Sequence, residues 1–435
     1  MNRCASHFVL LSILWFNSIL LAQHSRPAPG RDDEPLTIAE AVAQALEKNL
    51  DLIAERYNLP IAEARLITAR VRPNPVFSLG GDHLDLLGTG YNDVNRAGPA
   101  EYSMRTDFLF ERGEKPRRRI ELAQAGKRVT ELQLLNAIRS VVLGVQTAFV
   151  DVLQAKEDLA LARDTLSTFE EIVRINTSRV KSGDLAEVEL IRSQVAQLQF
   201  ENRVRQAELQ LQTSRAQLQV TLGRKRGDLS VDAVGDMRRE LIPVLPDGLR
   251  ARAFSQRPDL LAQQQNHVRS QAELRLQLAH GRVDYSFGTE YRRQEGLAGR
   301  GSSLGIFFQT NLPVFNRNQG EIERARQEEL QAEARIRALE ATIDNEVEVA
   351  YLRYRNAMTT LSRIEDSMLA KAKDMRQISE YSYRRGEATF LEFLDAQRAY
   401  NETMQAYNQA RADFARSLYG IDAAIGNPAP GENKP

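Results

Sequence analysis

The sequence predicts a mainly α-helical protein with a small β part: tandem-duplicated long α-helical hairpins, plus four β-strands per protomer that close a membrane barrel only when chains associate. Three observations carry this. The chain repeats itself at a near-constant spacing. No proline occurs between Pro116 and Pro243 or between Pro313 and Pro428. Segments of alternating aromatic and polar residues precede each proline-free stretch.

Composition narrows the classes first. The 435 residues carry 58 basic and 58 acidic side chains, a formal net charge of zero, which disfavours a nucleic-acid binder. With 42% hydrophobic residues, 27% charged residues and a mean hydropathy of −0.42, the chain is too polar for a helical membrane bundle and too aliphatic for a disordered one. Cys4 is the single cysteine, so neither a disulfide framework nor a multi-cysteine metal site is available. His83 and His267 are isolated and make no metal motif. We expect no cofactor and no resident metal.

The N-terminus has a basic start, an apolar run through Phe8-Val9-Leu10-Leu11 to Leu20-Leu21, and Ala22 at its end. That is the pattern of a secretory signal peptide, assigned to residues 1–22. Cys4 precedes the apolar run, which is the wrong place for a lipid-modified first residue. Residues 23–35 read as a flexible lead. No later run of about twenty apolar residues stands out, so no transmembrane helix is expected.

The duplication is legible at both ends of each half. Gly183 answers Gly386 and Gly223 answers Gly426, both 203 residues apart; Asp51 answers Asp259 and Leu79 answers Phe287, both 208 apart. Repeat 1 is assigned to 36–240 and repeat 2 to 241–428, with 429–435 a disordered tail. Each repeat opens with a helix, from Ile38 to about Val71 and from Pro246 to about His280. A strand pair follows, about 75–111 and about 282–314. A long stretch rich in Ala, Leu, Glu, Gln and Arg then begins. Its apolar residues recur at three and four, as in Leu159, Ala162, Leu166, Phe169 and Val173, and in Val188, Ile191, Val195 and Leu198. Such spacing predicts coiled-coil-like packing. Gly183 and Gly386 supply the left-handed residue that ends a helix, so each stretch is read as a hairpin turning there.

In the strands, Tyr102, Met104, Phe108 and Phe110 share a face opposite Ser103, Arg105 and Asp107. Tyr285, Phe287 and Tyr291 oppose Ser286, Glu290 and Arg292, and Ile306 and Phe308 continue the series. Alternation over about ten residues is the signature of a membrane barrel strand, and these nine apolar residues are assigned to lipid. Gly88 to Asp93 and Glu295 to Gly301 read as polar outer loops. Four strands are half of the smallest membrane barrel, and an open sheet in lipid leaves unpaired backbone groups. The barrel must therefore close between chains. Counting alone permits a trimer of twelve strands or a dimer.

These features together resemble the outer membrane factor family, the TolC-like exit ducts of Gram-negative efflux and secretion systems. Leu36-Thr37-Ile38-Ala39-Glu40-Ala41, with Asn49 and Leu52, looks like the family's opening helix. Arg72-Pro73-Asn74-Pro75 looks like its approach to the first strand. Leu312 to Gly320 is similar to the segment that starts the second long helix, and Tyr383-Arg384-Arg385-Gly386 with Phe390 to Gln397 is similar to its periplasmic hairpin tip. The resemblance implies a homotrimer with a 12-stranded outer-membrane β-barrel and an α-helical tunnel across the periplasm. It also implies docking to a periplasmic adaptor (membrane fusion protein) and an inner-membrane pump of the resistance-nodulation-division type. Phe110 to Arg119 and Asn316 to Gly320 resemble the cobalt-zinc-cadmium branch, although Glu114 and Pro116 depart from its Gly-Gly-Lys-Arg pattern.

No phosphate loop, dinucleotide fingerprint or nucleophile elbow is present, and no enzymatic reaction is assigned. The family's gate carboxylates fall on Glu392 and Asp395, three apart on one helix face; repeat 1 places Glu189 and Arg192 at the matching positions, with Arg192 a bridging base. The tips, Lys181, Gly183, Asp184, Tyr383, Arg385, Gly386 and Glu387, are assigned to adaptor docking. The expected function is a passive outer-membrane exit duct, with heavy-metal cations as one cargo. A type I secretion duct or a multidrug duct is the alternative. A periplasmic coiled-coil adaptor would show one hairpin and no duplicated strands.

Overall fold

The computed structural model describes residues 34–84, 86–88, 100–225, 231–241, 246–296 and 299–427. The assigned signal peptide 1–22, most of the lead and the tail 429–435 lie outside the described residues, as does most of the Gly88–Asp93 loop.

Each repeat opens with a broken helix rather than a continuous one. In repeat 1, α1 (Ile38–Lys48), α2 (Leu50–Arg56) and α3 (Asn58–Arg70) follow one another. Thr37 and Glu40 form a reciprocal capping box on α1. At the first break the Asn49 side chain caps α2 through the Leu52 N–H at 3.0 Å and donates to the Thr221 carbonyl at 2.8 Å. In repeat 2 the break separates α6 (Pro246–Gln256) from α7 (Pro258–His280). There Arg257, only 2% exposed, donates to the Ala424 carbonyl at 3.4 Å. Asn49 and Arg257 are thus equivalent clamps, each tying the opening of its repeat to its end. Arg257 also pairs with Asp259 at 2.6 Å and Glu346 at 2.5 Å. Burial alone would raise the Asp259 carboxyl, but Arg257 and Arg139 hold it below its usual range.

The long limbs follow. In repeat 1, α4 (Lys115–Ser182) has 68 residues, roughly 100 Å at 1.5 Å per residue, with Pro116 in its first turn where the missing N–H costs nothing. After Gly183 the chain returns as α5 (Glu187–Thr221). In repeat 2, α8 (Gln319–Arg363) passes through one π-helical turn at Ile364–Met368 into α9 (Leu369–Arg385), and α10 (Phe390–Ile425) returns. The second limb is therefore interrupted by a wide turn as well as by its glycine.

Two corrections concern α4 and the lead. An 18-residue window of α4 does reach a mean hydropathy of 1.3. Its Val142, Val145, Phe149 and Val152 are buried against Ala41, Val42 and Ala45 of α1, so the apolarity belongs to a core. Residues Glu34–Leu36 are not lead but a strand, β1, parallel to β4 (Val231–Ala233). Lys156 and Arg215 fix β4 through Asp232 at 2.8 and 3.0 Å.

The remaining strands form one sheet: β2 (Val76–Asp82), β3 (Glu101–Phe110), β5 (Tyr285–Gly296) and β6 (Gly299–Thr310), antiparallel in the order β2-β3-β5-β6. The last two extend further into the Glu295–Gly301 run than the loop expected there. The edges at β2 and β6 have no partner strand among the described residues, so the sheet is open.

Candidate functional site

Two regions carry chemistry that a duct would use, the sheet and the hairpin tips. Cross-strand register makes the sheet two-faced. Leu79, Met104, Tyr291 and Leu304 fall in line, as do Phe108, Phe287 and Phe308. Their face is apolar across all four strands. The aromatic pairs Phe110–Phe287 and Phe287–Phe308 touch at 5.5 and 5.1 Å between ring centroids. Of the nine residues assigned to lipid, eight are exposed, Ile306 at 82%. Tyr285 is half-buried beneath the Arg112 guanidinium, 4.6 Å from its ring. The opposite face holds ion pairs: Arg105–Asp107 at 2.8 Å, Arg292–Glu290 at 2.8 Å and Arg292–Glu101 at 3.1 Å. Apolar rows on one side and paired charges on the other match a wall between hydrocarbon and water.

At the tips, Gly183 (φ +83°) and Gly386 (φ +80°) end α4 and α9 in the left-handed conformation. Each is followed by the same doubled closure: Asp184 N–H to Arg179 O at 2.8 Å, and Glu387 N–H to Ser382 O at 2.9 Å. Lys181, Gly183, Asp184, Arg385, Gly386 and Glu387 are exposed. Tyr383 is not. At 3% exposure it stacks on Phe393 at 5.4 Å and donates to Asn176 Oδ1 at 2.8 Å. It belongs to an aromatic cluster with Phe169, Phe200 and Phe390, which removes it from the docking surface.

Sequence reasoning missed the groups that lock the two tips together. Arg179 of the first hairpin donates to the Arg384 and Tyr383 carbonyls at 2.5 and 3.4 Å. Arg384 answers with a bidentate pair to Glu171 at 2.7 and 2.8 Å. The signal was a break in the repeat, since Arg179 corresponds to Ser382.

The four gate residues separate into different roles. Glu392 closes a capping box on α10: Thr389 N–H to Glu392 Oε2 is 2.8 Å and Glu392 N–H to Thr389 Oγ1 is 3.3 Å. These bonds hold its carboxyl below the usual range. Asp395 is exposed one turn on. Arg192 pairs with Glu189 of its own helix at 2.8 Å, rather than bridging to Glu392 or Asp395 within the chain.

Between the limbs, a groove of about 1200 Å³ is lined by small residues such as Ser140, Gly144, Ser417 and Gly420 and by Arg139, Asp151, Arg353, Asp413 and Arg416. Gly144, Thr147 and Asp151 lie on the side of α4 opposite Val145, Phe149 and Val152. Arg416 neutralises Asp151 at 2.5 Å and Asp413 at 2.8 Å. Among the described residues, no cluster of three or more His, Cys, Asp or Glu side chains is arranged to hold a metal ion. Two flanks carry unpaired apolar rows. Val188, Ile191, Val195 and Leu198 of α5 are exposed, although their spacing reads as core, and Met375, Ile378 and Tyr381 of α9 are exposed too.

Comparison with known proteins gives a consistent picture. The sequence profile of a family described as outer membrane efflux protein matches residues 41–224 and 249–427. The cobalt-zinc-cadmium resistance protein CzcC of Cupriavidus metallidurans is 22% identical over 393 residues, 90% of each chain. The solved structure of CusC superposes with a TM-score of 0.74 at 16% identity, over 93% of this chain and 96% of that one. The CmeC outer membrane channel of Campylobacter jejuni gives 0.72 at 16% identity, over 89% and 85%.

Proposed function

The chain belongs to the outer membrane efflux protein family, and from that premise we propose that three copies form a closed duct, docked at its periplasmic end to an adaptor and a pump. It is an outer-membrane protein reaching into the periplasm, and its function is efflux. The family is one of channels, and no reaction is assigned. The observation that carries the trimer is the open sheet: four strands, one apolar exposed face and two unpaired edges. Backbone edges in hydrocarbon cost several kcal/mol per unsatisfied group, and further copies remove that cost. The apolar rows of α5 and α9 then meet between neighbours, and the groove between the limbs faces the passage. Membrane fractionation with heat-modifiable oligomer bands tests this; a soluble monomer defeats it.

We assign the gate to Glu392 and Asp395, close to the exposed tips of each hairpin pair. Rings of carboxylates favour cations and repel one another. Because Glu392 also caps α10, the clean substitution is Glu392→Gln with Asp395→Asn, which keeps the cap's hydrogen bonding. In planar bilayers this double variant is expected to show higher conductance and weaker cation preference. An unchanged single-channel current would remove both residues from the gate.

The docking surface is proposed to be Lys181, Gly183, Asp184, Arg385, Gly386 and Glu387. Gly386→Val forces a β-branched residue to φ +80°, at about 1–2 kcal/mol, with no neighbour closer than Arg179 at 4.0 Å. The expected result is lost efflux with normal membrane insertion. Wild-type efflux from this variant would place docking elsewhere. As cargo we propose divalent heavy-metal cations, supported by the CzcC likeness across 90% of both chains. Metal sensitivity of a deletion strain, with unchanged dye and drug sensitivity, is the expected phenotype; the reverse pattern favours a multidrug duct.

A further inference from the structure

The foot of the sheet carries a cavity that the duct reading does not use. It measures about 810 Å³ and is lined by Lys115, Arg282, Asp284, Leu312, Phe315 and Arg317 among others. Its cations outnumber its carboxylates. Asp284 is the only acidic lining residue. It is already held by Lys115 at 2.7 Å and by the Arg112 backbone N–H at 2.8 Å. Lys115 is buried and spent on Asp284 and the Arg282 carbonyl. Arg112, Arg282 and Arg317 are exposed, and none forms an ion pair among the described residues. Arg112 lies over the Tyr285 ring and bonds its hydroxyl. The field there is positive enough to act on His280, whose pKa is depressed first by burial and then by Lys115 and Arg119.

Beside this surplus the chain between β6 and α8 presents apolar side chains outward. Leu312 is 79% exposed and Phe315 is 91% exposed, two residues before Arg317. A phenylalanine that bare costs free energy in water and gains it in an acyl layer. Guanidinium groups at the same level suit phosphate oxygens, by charge and by paired donors. Free phosphate would leave the apolar pair unexplained, whereas a lipid satisfies both.

We propose that this foot binds the anionic headgroup of a glycerophospholipid in the periplasmic leaflet, with Arg112, Arg282 and Arg317 on the phosphate and Phe315 and Leu312 among the acyl chains. The proposal rests on the membrane reading of the sheet. Basic side chains at a membrane surface are worth about fivefold each in binding anionic lipid, so three are worth on the order of a hundredfold.

The test uses the purified oligomer in liposomes of phosphatidylcholine, alone or with phosphatidylglycerol, and native mass spectrometry to count retained lipid. Wild type is expected to float with both and to retain phosphatidylglycerol selectively. The triple variant R112Q/R282Q/R317Q is expected to float equally well and lose that selectivity by about a hundredfold. Should the triple variant fail to assemble, R282Q/R317Q spares the Tyr285 contact and is expected to lose about twenty-five-fold. Phe315→Trp, in a chain whose sole tryptophan is Trp15, is expected to be quenched by brominated acyl chains. Wild type that floats but retains both lipids alike overturns the proposal alone. So does full displacement by inorganic phosphate, or an unquenched Trp at 315. Failure to float in either lipid overturns the membrane reading and this proposal with it.

Discussion

Gly223→Val is expected to leave no folded protein. Gly223 follows α5 at φ +72°, where a β-branched residue is strained by about 1–2 kcal/mol. The steric clash costs more. A Cβ built there would overlap the Lys48 carbonyl and lie 2.9 Å from the Asn49 nitrogen. That backbone cannot give way, because Asn49 both caps α2 and holds the Thr221 carbonyl at 2.8 Å. Moving it loses the cap, the clamp and part of the surrounding core, a combination worth about 4 kcal/mol or more. The duplicate, Gly426→Val, is expected to behave alike, since its Cβ would lie 2.8 Å from Arg257 Cα. Gly183→Val is the control: similar φ, but no atom within 4 Å of the added carbon. Quantifying mature protein in the outer-membrane fraction should separate Gly183→Val from the other two. Normal yield from Gly223→Val would show that the repeat is not closed on itself at this contact.

The second large effect belongs to the sheet. Ile306→Arg places a charge on the apolar face, opposite Thr289 near the middle of the strand. A charge at the bilayer midplane on a lipid-facing barrel position costs about 2–4 kcal/mol. Ser303→Arg adds the same group to the opposite face, beside Arg292, where water receives it. The expected result is loss of heat-stable oligomer and of outer-membrane localisation for Ile306→Arg, with near-normal assembly for Ser303→Arg. Equal behaviour of the two would mean that the apolar face does not meet lipid.

How much of this was legible depended on the length scale of each signal. The strand faces were readable because alternation persists for ten residues and register then aligns the rows by itself. The hairpins were readable because proline is missing and one glycine stands at each turn. The breaks at Asn49 and Arg257 were not, since apolar spacing runs through them and the cause is a side chain reaching the far end of the repeat. β1 and β4, three residues each, are too short for any period. Val188 to Leu198 has core spacing yet faces outward, because periodicity reports an apolar stripe without saying what covers it. Tyr383 looked like a surface aromatic beside a turn; its burial depends on Asn176 and Phe393, one of them distant in sequence. The Thr389 to Glu392 capping box was visible as Thr-x-x-Glu and competed with the gate assignment for the same carboxylate.

The unpaired edges of β2 and β6 bear on inheritance as well as on architecture. A subunit whose rim cannot mate spoils its companions in the same ring, however sound their own sequences. A damaged allele that is still made and exported should therefore act dominantly over a good one, whereas a Gly223-type lesion, destroyed before assembly, should be recessive.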